Sequence, residues 1–348
     1  IHVVTKKGKG YRNAETNPSK FHGVSPFDPT TGNPLIKYEN PTYSTIVGNK
    51  LTQLAIENPK IIAISAAMID ATGLRKFQEK FPERTFDVGI AEQHAVAFAA
   101  GLALSGYRPV VAIYSTFLQR SYDQLLADVC LQNLPVVFMV DRAGNVGSDG
   151  ETHHGVFDLS YLSHMPGMTI MSPKDGKELV RMMDYAFTLE GPCVIRYPRG
   201  EAIELSSSEN QSINTSELLK EGNDVSIIAV GKMVKTALEV SDLLEQSGYS
   251  ADVINARFIK PLDKDTILAS VNKTKRIVTI EDNSVIGGFG SNLLSLLSSV
   301  NTEGVKTLCL GWPDKFVKQG DIEELFKLYG LDSLSISERV CNFIEGKA

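Results

Sequence analysis

The sequence predicts an α/β protein of two consecutive domains, each a mostly parallel sheet with helices on both faces. Three observations carry that reading. The 348 residues exceed a typical single domain. Short, continuously apolar segments alternate with longer segments of helical pattern, as expected of strands buried on both faces by crossover helices. The alternation breaks over residues 201–222, a stretch rich in Ser, Asn and Glu with the composition of an interdomain linker.

In chain order, Ile1-His2-Val3-Val4 reads as a strand interior and no initiator methionine is present, so the native polypeptide is expected to extend before it. An irregular connection punctuated by Pro18, Pro26, Pro29 and Pro34 follows to about residue 40. The expected division is therefore 1–40 (end of a preceding domain and linker), 41–200 (first domain), 201–222 (linker) and 223–348 (second domain). In the first domain, apolar runs predict strands at 61–65, 85–88, 109–114, 135–140, 168–172 and 193–197. Helices are expected near 45–57, 73–80, 91–105, 116–131 and 174–189. The second domain should place strands at 225–230, 251–255, 276–281 and 305–310, with helices near 233–246, 263–272, 288–300, 320–328 and 331–346. Gly287-Gly288-Phe289-Gly290 lacks the full G-x-G-x-x-G pattern and follows the acidic pair Glu281-Asp282, so it reads as a turn and helix start, not a phosphate loop.

Composition narrows the function. With 43% hydrophobic and 22% charged residues, the chain can build ordinary globular cores. Its net charge is −6, and its basic residues form no extended patch beyond short clusters such as Lys6, Lys7 and Lys9, which disfavours nucleic acid as a partner. The four cysteines are scattered without metal-ligand spacing, as in a reduced cytoplasmic protein. No apolar run approaches the roughly 20 residues that span a bilayer, and no signal peptide is read at the start.

One carboxylate stands out. Glu92 falls where the strand expected at 85–88 turns into a helix whose Ala91, Ala95, Phe98, Ala99 and Leu102 form an apolar stripe. Strand-to-helix turns at the carboxyl edge of an open sheet collect ligands. An acid in a first helical turn also simply offsets the macrodipole, so position alone leaves both readings open.

The longer motifs decide. FDVGIAEQHAVAFAAGLA (from Phe86), AIYSTFLQRSYDQ (112–124) and DRAGNVGSDGETHHG (141–155) together resemble the 1-deoxy-D-xylulose-5-phosphate synthases, thiamine-diphosphate enzymes of the transketolase superfamily. The likeness runs from HVVTKKGKGY (2–11) through RYPRG (196–200) and FIKPLD (258–263) to the C-terminus. The resemblance implies a pyrimidine-binding domain followed by a transketolase C-terminal-like domain. It implies a bacterial, cytoplasmic, homodimeric transferase that decarboxylates pyruvate and joins the remaining two carbons to D-glyceraldehyde 3-phosphate. That step opens non-mevalonate isoprenoid synthesis and also feeds thiamine and pyridoxal synthesis.

It further implies roles for particular residues. Glu92 matches the glutamate that shares a proton with the cofactor's aminopyrimidine ring, while Phe117 and Tyr11 match ring and cofactor contacts. Without the resemblance, Phe117 would read as core and Tyr11 as an aromatic after a glycine turn. Arg142 and Arg199 match phosphate contacts; both follow expected strand ends, and arginine grips phosphate bidentately. Tyr114, Arg120 and Asp149 match residues that hold the pyruvate-derived group. His153 matches a proton-transfer residue, with His154 as its neighbour, and His22 matches a further active-site histidine. His94 reads as an ordinary helix residue.

The family holds its Mg²⁺ through a Gly-Asp-Gly motif and an Asn, and this sequence has no Gly-Asp-Gly. No metal ligand is therefore expected here, and the diphosphate half is expected on a separate N-terminal piece. Ala127 replaces a histidine common in the family. Two other readings fit the same layout: a β subunit of the decarboxylating component of a 2-oxoacid dehydrogenase, and the C-terminal half of a split transketolase. A catalytically silent assembly module is a third, opposed by the joint presence of Glu92, Arg120, Arg142, His153 and Arg199.

Overall fold

The computed structural model describes residues 1–18, 20–21, 24, 26–35, 38–205, 212–300 and 302–347. The first domain contains β1 (Ile61–Ser65), β2 (Thr85–Asp87), β3 (Arg108–Tyr114), β4 (Val137–Asp141), β5 (Thr169–Met171) and β6 (Cys193–Arg196). Its helices are α2 (Tyr43–Glu57), α3 (Arg75–Lys80), α4 (Glu92–Leu104), α5 (Ser115–Leu118), α6 (Asp158–Leu162) and α7 (Gly176–Ala186), after a short α1 (Arg12–Thr16). The second domain contains β7 (Glu217–Lys220), β8 (Val225–Ala229), β9 (Ala251–Asn255), β10 (Phe258–Lys260), β11 (Arg276–Ser284) and β12 (Lys306–Trp312). Around them lie α8 (Met233–Gln246), α9 (Lys264–Thr274), α10 (Phe289–Ser299), α11 (Ile322–Leu328) and α12 (Ser333–Glu345).

The first sheet has the order β10-β5-β6-β4-β3-β1-β2, and the second β12-β11-β8-β9-β7. Only β10 and β7 run antiparallel to their neighbours. β1, β4, β8 and β9 are buried at every position, which explains their largely apolar sequences; their polar members, such as Ser226 and Asp252, are hydrogen-bonded. This is the two-domain α/β architecture that the sequence predicts.

Three local expectations need correction. Residues 1–4 form no strand; Ile1, Val3 and Val4 are exposed, with no sheet edge to receive them. The helix expected at 116–131 is broken into α5, a 3₁₀ turn (Gln119–Ser121) and a π-helical turn (Gln124–Cys130). Leu131 N–H accordingly donates to Leu126 O, five residues back. In α4 the buried face is Glu92, Ala95, Val96, Ala99, Ala100 and Ala103, rotated from the expected stripe. Phe98 and Leu102 are only half-buried, and Ala97, Gly101 and Leu104 are exposed, because the helix is apolar almost all round.

The domains are joined through their polar interiors. β10 leaves its own domain to pair with β5, and Lys260 Nζ donates to Ser163 O at 2.9 Å. Beside it lies a buried cluster in which Arg257 Nε meets Glu178 Oε1 at 2.7 Å and Arg257 Nη2 meets Glu217 Oε2 at 2.9 Å. Lys174 Nζ lies 3.0 Å from the same Glu217 oxygen. Burial pushes the Glu217 carboxyl up, but the Lys174 hydrogen bond and the Arg257 charge outweigh it and hold it below the usual range.

The glycine segment is a helix start, as expected. Gly287 turns with φ 69°, and the Glu281 carboxylate accepts from Phe289 N (2.7 Å) and Gly290 N (2.9 Å). The anion seat at the start of α10 is thus filled from within the chain. Burial pushes the Glu281 carboxyl from 4.5 up to about 7; the two N–H donors and Arg196 oppose this, and Asp158 reinforces it. With the folded value above the unfolded one, the stabilising contribution is complete below pH 4.5 and lost as pH rises through about 7. Across that window the wild type is expected to lose about 3 kcal/mol relative to Glu281→Gln in urea denaturation. Parallel pH curves for the two proteins would contradict the assignment.

Candidate active site

From β1 the chain moves out to β2 and returns to β3 on the opposite side of β1, so the sheet has a switch point between β1 and β3. The carboxyl ends of the neighbouring parallel strands open a crevice there. Glu92 enters it as the first residue of α4, and its N-cap, Ala91, offers no side-chain cap. The work of holding this entry falls to Asp87. Its Oδ1 accepts from Ala67 N (2.8 Å), beyond β1, and from Gly89 N (2.9 Å), just before the helix. Both donors sit at left-handed residues, with φ 61° at Ala67 and 69° at Gly89.

The Glu92 side chain is buried. Arg120 Nη1, on the 3₁₀ turn that packs against α4, lies 3.3 Å from its Oε2. That oxygen has no hydrogen-bond donor among the described residues. A buried carboxylate with one ionic neighbour and an unfilled oxygen is incomplete by itself.

An aromatic shelf lies at the end of β3. Tyr114 stacks on Phe117 with centroids 5.5 Å apart and planes 14° from parallel. His153 meets Phe117 edge-on at 5.5 Å. The Arg142 guanidinium lies 3.8 Å over the Tyr114 ring and 3.3 Å from Asp141 Oδ2. Asp141 is fully buried and accepts from Ser44 Oγ at 2.7 Å; burial raises its carboxyl, and Arg142 and Ser44 oppose that rise. The Tyr114 hydroxyl is pushed up to about 12 by burial, with Arg142 acting against it. Arg199, after β6, donates to Asp149 Oδ2 at 2.7 Å, and both side chains remain about a third exposed.

The structure thus brings Glu92 to Arg120, gathers Tyr114, Phe117, His153 and Arg142 around one shelf, and pairs Asp149 with Arg199. Tyr11 is not brought to them: its ring contacts are to Phe21 and Phe27, and its hydroxyl accepts from Asn13 Nδ2. His22 lies outside the described residues. His94 is exposed on α4, stacked on Phe98 at 5.9 Å. Asp87, Asp141 and Ser44 were missed in the sequence. For Asp87 a signal existed, since Asp two residues before Gly is an Asx-turn pattern.

The buried carboxylate and the aromatic shelf fit a flat heteroaromatic ring able to share a proton and to stack. Among the described residues, no three His, Cys, Asp or Glu side chains are arranged to hold a metal ion. No helix there is long and apolar enough to cross a membrane.

Comparison with known proteins defines the family. Residues 39–203 match the transketolase pyrimidine-binding domain, and residues 214–336 the transketolase C-terminal domain. A solved split-gene transketolase, described as an inactive β4 tetramer, superposes with a TM-score of 0.78 at 30% identity, over 89% of this chain and 100% of that one. The chain belongs to the transketolase family. Within it, the chain is similar to the 1-deoxy-D-xylulose-5-phosphate synthases: 54% identical to synthase 1 of Geobacter sulfurreducens, over 100% of this chain and 55% of the relative. To the synthase of Caldanaerobacter subterraneus it is 51% identical, over 98% of this chain and 55% of that enzyme. The chain therefore spans about half the length of the curated relatives it matches.

Because one Asp87 oxygen serves both N–H groups, Asp87→Ala is expected to cost about 1 kcal/mol in chemical denaturation. Asp87→Asn keeps an acceptor there and should retain most of that stability. Equal losses in the two variants would show that the hydrogen bonds are not what Asp87 contributes.

Proposed function

We propose that this chain forms the pyrimidine-binding and C-terminal domains of a thiamine-diphosphate-dependent 1-deoxy-D-xylulose-5-phosphate synthase, a cytoplasmic homodimer in bacteria. The observation that carries the reading is Glu92: buried at the start of α4, with one oxygen that has no hydrogen-bond donor among the described residues, at a sheet edge that also carries the Tyr114–Phe117 pair. The substrates are pyruvate and D-glyceraldehyde 3-phosphate. When bound, thiamine diphosphate supplies the nucleophilic carbon that the protein's own side chains lack. Its diphosphate and Mg²⁺ are assigned to the part of the relatives that this chain does not match, the N-terminal half.

The chain's residues then divide the task. Glu92 holds a proton against the aminopyrimidine ring, and burial keeps water from competing for it. Phe117 packs on that ring, and Tyr11 and His22 are assigned to the same site by the resemblance alone. Arg120, beside Glu92, faces the pyruvate carboxylate. Arg142 and Arg199 bind the aldehyde's phosphate, for which fixed guanidinium charges are suited. Asp149 orients Arg199, Tyr114 orients Arg142 through its ring face, and His153 moves the proton to or from the reacting oxygen. The half-exposed apolar face of α4, with a hollow of about 470 Å³ beside His94 and Phe98, suits a subunit contact. The boundaries expected above, 41–200 and 223–348 with a linker at 201–222, are proposed as the units of this layout.

A second reading, the C-terminal half of a split transketolase, is favoured by the likeness to a solved chain of nearly the same extent. One assay separates the two. Assembled with a diphosphate-binding half, the chain is expected to form 1-deoxy-D-xylulose 5-phosphate from pyruvate and D-glyceraldehyde 3-phosphate. Glu92→Ala should lower that rate at least about 10²-fold with an unchanged circular dichroism spectrum. Use of ketose phosphate donors in place of pyruvate would select the second reading.

A further inference from the structure

We propose that the C-terminal domain has a task in the reaction: it sets the position of the loop segment that carries Asp149, with His154 as the positioning residue. The inference rests on the functional reading above.

The loop between β4 and α6 cannot hold its own shape by steric restriction. Gly144, Gly147 and Gly150 all have left-handed φ, at 83°, 68° and 78°. Within the loop, Gly144 and Gly155 exchange backbone hydrogen bonds at 2.7 and 2.8 Å, Asn145 Oδ1 accepts from Gly147 N at 2.8 Å, and the His153 and His154 N–H groups turn back onto Gly150 O. The first domain holds its later part, where Thr116 Oγ1 donates to Thr152 O at 2.9 Å and His153 meets Phe117. The segment from Asn145 to Asp149 is restrained chiefly from the second domain.

Asp282, at the carboxyl end of β11, anchors the beginning of the loop. Its carboxylate accepts from Asn145 N at 3.0 Å, from Trp312 Nε1 at 2.6 Å and from Lys232 Nζ at 2.6 Å. The approach is close enough that a Cβ on Gly144 would overlap this carboxylate. In the middle, Gly320 N donates to Gly147 O at 3.4 Å, and a Cβ on Gly147 would lie 2.8 Å from Ile322 Cγ1.

His154 closes the far end and is only 3% exposed. Val146 N–H donates to its Nδ1 at 3.2 Å, and its Nε2 lies 3.2 Å from Lys318 O. Since a backbone N–H can only donate and a carbonyl can only accept, the ring is neutral with its proton on Nε2. One imidazole therefore spans the loop and the second domain. The Asp149–Arg199 pair that this loop delivers borders a cavity of about 490 Å³, lined from both domains by Val146, Ser148, Arg199, Gly320 and Ile322. A loop released from the second domain would withdraw Asp149 from Arg199, so the aldehyde phosphate should be the substrate group most affected.

Two substitutions divide the imidazole's contacts. His154→Asn keeps an acceptor at the Nδ1 position for Val146 but cannot reach Lys318. His154→Gln keeps a donor near the Nε2 position for Lys318. In the assembled enzyme, His154→Asn is expected to raise KM for D-glyceraldehyde 3-phosphate about tenfold, with KM for pyruvate and kcat little changed. Hydrogen exchange of the 145–150 and 318–321 amides should accelerate together by a similar factor, and His154→Gln should recover most of both effects. The proposal is overturned if the two variants behave alike, if kcat falls in place of the aldehyde-specific rise, or if the two segments exchange independently. Should the wild-type assembly fail to use the aldehyde, the functional reading fails, and hydrogen exchange alone still decides whether His154 couples the domains.

Discussion

A carboxylate removed from water must be compensated, and the architecture around Glu92 follows from that requirement. Buried at the first residue of α4, Glu92 has Arg120 at 3.3 Å, and its Oε2 has no hydrogen-bond donor among the described residues. Everything that determines where this oxygen points belongs to the sheet edge: Asp87 joins the end of β1 to the helix entry, and the broken helical segment after β3 swings Arg120 against α4. The same strand end supplies the Tyr114–Phe117 shelf. The carboxyl ends of the strands around the switch point thus present a buried acid, a stacked aromatic pair and guanidinium groups without any one element carrying all three.

The second domain is bound to the first through charges, not through an apolar seam alone. Arg257 and Lys174 sit between Glu178 and Glu217, all essentially out of solvent. Such a cluster adds little net stability over a packed apolar equivalent, but removing one member strands the others, so it fixes the mutual position of the parts strongly. Asp282 applies the same logic beside the loop between β4 and α6, where a glycine-rich segment is restrained by a neighbouring strand end. The acidic pair Glu281-Asp282 thereby divides its functions, one carboxylate seating α10 and the other the loop.

Much of this was legible in the sequence, for physical reasons. β1, β8 and β9 are doubly covered strands whose apolar runs have no competing explanation, and their expected positions agree with the structure to within a residue. Glu92 was readable through its long motif, not through its spacing, since an acid in a first helical turn is commonplace. β10 was not readable, because three residues pairing with another domain leave no periodic trace. The π-helical turn at 124–130 was hidden by an intact helical pattern, and the uncovered face of α4 by its being apolar on every side. Partnerships such as Ser44 with Asp141 or His154 with Lys318 span sequence distances over which local pattern carries no information.

The central claim is that the unfilled oxygen of Glu92 receives the aminopyrimidine ring. A crystal structure of the assembled protein with thiamine diphosphate tests it directly. The expected result is a ring nitrogen about 2.7 Å from a Glu92 carboxylate oxygen, with the ring plane against Phe117. A ring seated away from Glu92, with that oxygen still lacking a donor, would contradict the account.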